Sequence, residues 1–142
     1  MGNDPFTGTW KFNARKSTLT DPTPRRWIQT IVATEEQLVV REEIVRANGA
    51  ASEVKIWARF DGADYPVLGS PLADFIAYER VERNSISGTG KKNGVITFTE
   101  TITVSPDGKL LTLVYSLQTG ASQVARGVAV FERQAVAIQE MS

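Results

Sequence analysis

The chain has 142 residues, 42% apolar and 23% charged, enough for one domain with a hydrophobic core and too apolar for global disorder. Sixteen basic and sixteen acidic side chains cancel to a formal charge of zero, which argues against nucleic acid or an anionic membrane as the main partner. Cysteine and histidine are both absent, so disulfides, thiolate nucleophiles, Ser-His-Asp triads and Cys- or His-ligated metal centres are excluded.

The opening Met1-Gly2-Asn3-Asp4-Pro5 has neither a basic n-region nor an apolar h-region, so no signal peptide is expected in it. The compartment stays open, the mature form of a secreted or periplasmic protein being one reading. No apolar run approaches the ~18 residues of a membrane span. A first strand is expected over 8–12. Residues 13–26 then break the pattern with Asn13-Ala14-Arg15-Lys16-Ser17 and Asp21-Pro22-Thr23-Pro24, the composition of an ordered loop or a short helical turn. Such a segment could lie across one end of a barrel.

Beyond it, segments rich in Val, Ile, Thr, Phe and Tyr alternate with period two, which predicts strands over 27–34, 38–46, 53–60, 74–82, 85–92, 95–104, 109–118 and 123–133. They are separated by Asn48-Gly49, Asp61-Gly62, Gly69-Ser70-Pro71, Asn93-Gly94, Asp107-Gly108 and Thr119-Gly120, all favoured where a chain reverses. The stretch 95–104 is the clearest. Ile96, Phe98, Ile102 and Val104 point one way and Thr97, Thr99, Thr101 and Thr103 the other, as in a half-buried strand. Gly88-Thr89-Gly90-Lys91-Lys92 lacks the first glycine, the metal-binding hydroxyl and the following helix of a phosphate loop, so it reads as a strand. Arg15-Lys16 and Arg25-Arg26 have no interleaved stacking aromatics to suggest a nucleic-acid groove. Nine strands at hairpin spacing, with no long helix, predict an all-β, antiparallel up-and-down barrel; a two-sheet sandwich is the rival. Nothing divides the chain, so residues 1–142 are read as one domain.

Gly8-Thr9-Trp10-Lys11, opening the first strand, resembles the start of the lipocalin and fatty-acid-binding-protein barrels, the calycin group. The resemblance implies a calycin-like barrel in which the tryptophan closes one end and packs on a basic residue of the last strand, here Arg133. The wider pattern, from Asp4-Pro5-Phe6 through Asp61-Gly62, Gly69-Ser70-Pro71 and Ser105 to Lys109, to Phe131, also resembles a group of small bacterial secreted proteins of uncharacterised function. The 13–26 segment departs from the fatty-acid-binding pattern by holding prolines where those proteins have a two-helix lid.

Charged residues on apolar strand faces are the informative positions in such a barrel. Glu42 lies between Val40 and Ile44, Glu100 between Phe98 and Ile102, and Arg126 between Val124 and Val128. If these faces point inward, two carboxyls and a guanidinium share one cavity and need pairing or water. Tyr115, in line with Leu111, Leu113 and Leu117, is a candidate wall residue; Trp57 shares its face with Lys55 and Arg59 and reads as exposed. On 74–82 the inner face is open between Phe75 with Ala77 and Ile76 with Tyr78. The leading expectation is a binding protein for a small, mostly apolar molecule, contacted by Glu42, Phe98, Glu100, Tyr115 and Arg126. The alternatives are a cofactor-independent isomerase, cyclase or hydratase with Glu100 as acid or base, and a filled barrel acting as an interaction module. No cofactor or metal is implied.

Overall fold

Turn chemistry sets the connectivity. At Asn93-Gly94 both residues have positive φ, 52° and 77°, the two-residue reversal that matches the right-handed twist of flanking strands. It joins β7 (Ser85–Lys92) to β8 (Val95–Val104), two strands with the predicted bounds. A computed structural model describes residues 4–118 and 124–135; the predicted break at Thr119-Gly120 and the opening Met1-Gly2-Asn3 lie outside them. The remaining strands are β1 (Gly8–Phe12), β2 (Arg26–Ala33), β3 (Gln37–Val45), β4 (Ala51–Arg59), β5 (Asp64–Leu68), β6 (Phe75–Glu82), β9 (Leu110–Gln118) and β10 (Val124–Arg133). Every pairing is antiparallel, and β1 closes the sheet by bonding to both β2 and β10.

The fold is therefore an all-β closed barrel, with ten strands among the described residues instead of nine. The additional strand is β5, obscured in the sequence by Pro66 and the following Gly69-Ser70-Pro71. Proline removes a ladder donor, so β5 stays short, joined by two residue pairs to β4 and three to β6. A second correction concerns Ile96. Gly90 pairs with Phe98 but Lys91 pairs with Ile96, leaving Thr97 as an extra residue. This bulge breaks the alternation, and Ile96 is exposed outside the barrel.

The end of the barrel near the N-terminus is sealed. Trp10 is fully buried and donates its indole N–H to the Phe6 carbonyl at 3.0 Å. The Arg133 guanidinium stacks 4.3 Å from the Trp10 ring and donates to the carbonyls of Thr7, Pro5 and Gly108 at 2.6–2.7 Å. Beside it, Arg80 forms a two-pronged ion pair with Asp4 at 2.7 and 3.0 Å and lies over the rings of Phe6 and Phe60. At the other end, the segment after β1 makes a single 3₁₀ turn, Ala14–Lys16, capped by the Asn13 side chain, and bridges to β10 through Thr18 and Val128. Leu19, Asp21, Pro22 and Pro24 then line the barrel's open end, so this loop does lie across it.

Candidate functional site

Alternation along the strands turns one row of side chains into the barrel, and there they surround a cavity of about 510 Å³. Its wall is mainly aliphatic, with Ile31, Leu38, Val40, Ile56, Ile86 and Leu113 typical. Into this wall β3 delivers Glu42, the residue just after it Arg46, β6 Tyr78, β8 Phe98 and Glu100, and β9 Tyr115.

One lateral row organises the polar end. Tyr78 pairs with Gly88, Gly88 with Glu100, Glu100 with Tyr115 and Tyr115 with Gly127, across five neighbouring strands. The glycines leave room for the rings. A Cβ at Gly127 would stand 2.3 Å from the Tyr115 hydroxyl, and one at Gly88 2.8 Å from the Tyr78 ring. Gly90 plays the same part for Phe98, at 2.1 Å. Gly88-Thr89-Gly90 is thus a strand whose glycines admit aromatics, an exchange known to stabilise glycine sites in sheets.

Glu42 and Glu100 keep some accessible surface, but it faces the cavity, and protein encloses both carboxyls. Glu42 accepts a hydrogen bond from the Trp27 indole. Burial pushes its pKa up to about 7, against the lowering effects of that bond and of Arg46. Glu100 is pushed up to about 8 by burial and by the charge of Glu42, opposed by the Tyr78 hydroxyl, 3.4 Å from its Oε2. Burial, followed by the charges of Glu100 and Glu42, holds Tyr78 well above the usual phenol range. Tyr115 accepts a hydrogen bond from the Thr20 backbone N–H at 3.3 Å, tying β9 to the loop at the mouth. Near neutral pH the site therefore offers carboxyls that can donate when protonated and accept when ionised, in an apolar enclosure.

Four of the five side chains singled out in the sequence, Glu42, Phe98, Glu100 and Tyr115, line this cavity. Arg126 does not. It pairs with Ser116 on the outer face of β10 and is exposed, because Gly127 and Ala129 take the inward positions. The cation at the cavity is Arg46, whose Nη1 donates to Ser52 Oγ at 2.7 Å. Trp57 is exposed, its ring edge-on to Tyr65 at 5.8 Å. On β6 the inner face carries Ile76 and Tyr78. Among the polar and aromatic cavity side chains, Trp27, Gln29 and Arg46 escape the sequence reading, and Tyr78 lies on one of the two faces that reading leaves open. The signal for two was of the kind that marked Glu42, since Gln29 lies between Trp27 and Ile31 and Arg46 two positions beyond Ile44. Among the described residues, no group of three or more His, Cys, Asp or Glu side chains gathers to hold a metal ion.

A closed antiparallel barrel around a single-mouthed cavity, with a buried Trp10–Arg133 stack at the sealed end, defines a lipocalin-like, calycin architecture. A comparison of structures agrees: the chain is similar to apocrustacyanin C2, with a TM-score of 0.51 and 13% sequence identity over 97% of this chain. It spans 66% of that protein's chain, just under two thirds, and the likeness speaks for the fold alone. No family model matches the chain, and no curated protein does.

Proposed function

We propose that this barrel binds a small, mostly apolar molecule in its cavity, with Phe98 and Tyr115 in contact with the ligand's body and Glu42 and Glu100 with its polar end. The observation that carries the reading is the cavity itself. Its volume of about 510 Å³ falls within the roughly 300–1,000 Å³ of small-molecule sites, and a mainly aliphatic wall with a few convergent polar groups is their usual construction. Space on that scale also argues against a barrel filled by its own side chains. Kinship with the bacterial secreted proteins that share the Gly8-Thr9-Trp10-Lys11 opening belongs to the same reading.

The test is a fluorescence titration with the neutral apolar probe N-phenyl-1-naphthylamine, whose emission rises on leaving water. Saturable binding of one probe per barrel, reversed by decanol, is expected. An absence of saturable binding would overturn the reading. Glu100 favours a second reading, acid–base catalysis without a cofactor, since its pKa of about 8 lies close to neutral pH. A bound molecule recovered chemically altered, and unaltered from Glu100→Gln, would support that role.

A further inference from the structure

The cavity's charges are unbalanced. Asp21, Glu42, Arg46, Tyr78, Glu100 and Tyr115 are its titratable or charged lining groups, and Arg46 is the one cation among them. Arg46 is engaged by Ser52 and acts on Glu42. No cation acts on Glu100, whose charged neighbour is another carboxyl, Glu42.

Around Glu100 stand three aromatic rings. Tyr78 approaches its carboxyl, Tyr115 sits directly opposite on β9, and Phe98 precedes it by two residues on the same face of β8. A further polar group is held in reserve. Gln29 is 4% exposed, lines the cavity beside Glu42 in the β2–β3 register, and has no side-chain hydrogen bond among the described residues. Its carbonyl oxygen is available to a positive or hydrogen-bond-donating group.

Resting on the binding reading above, we infer that the ligand is a cationic amphiphile, an apolar body bearing an ammonium group that sits against Glu100 among Tyr78, Phe98 and Tyr115. A carboxyl with three aromatic side chains as neighbours suits an organic cation in two ways. Aromatic rings attract a cation that meets their faces, and an ionised carboxylate pairs with it in a low-dielectric enclosure. A carboxylate-bearing ligand would instead face two like charges. A neutral alcohol would leave Glu100 without a counter-charge once ionised.

The experiment displaces N-phenyl-1-naphthylamine with three molecules of equal chain length: decyltrimethylammonium, decanol and decanoate. The first keeps its charge at every pH, so pH acts on the protein alone. At about pH 9, with both glutamates ionised, the ammonium should displace the probe at about tenfold lower concentration than decanol, and decanoate should be weakest. At about pH 5.5 that preference should shrink severalfold as the carboxyls protonate. In Glu100→Gln the preference of ammonium over decanol should also shrink. Equal potency of ammonium and decanol at about pH 9 overturns the inference while leaving the binding reading intact. So does a preference that neither the lower pH nor Glu100→Gln alters. Failure of the probe itself to bind overturns the binding reading.

Discussion

Tyr78 reaches across Gly88 to place its hydroxyl 3.4 Å from Oε2 of Glu100, joining β6 to β8 over a strand that contributes no side chain between them. The arrangement depends on the missing Cβ, which would lie 2.8 Å from the Tyr78 ring and 3.2 Å from the Glu100 side chain. Glycine weakens a strand by itself, so its cost at this position is offset by the ring packed over it.

Stability should fall as pH rises. Both glutamates have folded-state pKa values, about 7 and about 8, above their ordinary 4.5. Between those limits the native state holds more protons than the unfolded chain, so the stability present below 4.5 is lost as pH climbs through the folded values. With each pKa unit worth about 1.4 kcal/mol, the loss is on the order of several kcal/mol. Thermal unfolding followed from about pH 5 to about pH 9 should show Tm descending, and Glu100→Gln should flatten the slope. A Tm that rises across this range would contradict the burial of these carboxyls.

Gly90→Ala should act on the cavity rather than on the sheet alone. Its Cβ would meet Phe98 Cε1 at 2.1 Å, so the ring must give way, and the cavity it lines must change shape. The expected outcome is a loss of roughly 1–3 kcal/mol in chemical denaturation, as for other overpacked sites. Weaker binding of N-phenyl-1-naphthylamine should accompany it.

Arg133→Met should separate stability from binding. The substitution removes three hydrogen bonds to carbonyls and the stack on Trp10, all at the sealed end. Denaturation should show a loss of roughly 2–5 kcal/mol, with probe affinity measured well below the new Tm nearly unchanged.

Trp27→Phe keeps an aromatic ring against Phe12 and Phe131 but withdraws the indole N–H from Glu42. That hydrogen bond favours the ionised carboxylate, so its loss should move Glu42 above about 7. NMR titration of the labelled Glu42 carboxyl carbon, compared with the parent protein, checks the direction.

Strand alternation alone identified Glu42 and Glu100 as polar intruders on inward faces, because period-two patterning reports which side a residue occupies wherever pairing is regular. The same logic misplaced Arg126. Its neighbours Val124 and Val128 look like an inner face, but Val124 is exposed and the inward row is Gly127, Ala129 and Phe131, paired with Tyr115, Leu113 and Leu111. Small residues on the inner face carry almost no hydrophobic signal, so the outer valines dominated the pattern. Ile96 failed for a different reason. A bulge shifts register by one residue, and nothing in the alternating sequence announces it.

The sequence by itself determined the class of fold, since hairpin turns and β-branched alternation are local preferences that survive without knowledge of partners. It determined the absence of cysteine and histidine chemistry, while Trp10 and Arg133 stood out as a closing pair through the resemblance to calycin barrels. Only the tertiary structure decided that Trp27 bonds Glu42, that Tyr78 meets Glu100, and that Arg46 rather than Arg126 stands at the cavity. These contacts depend on strand register and on how glycines let rings fold against the wall. Register is set by the pairing of strands across the closed sheet, a relation between distant segments that no single segment encodes.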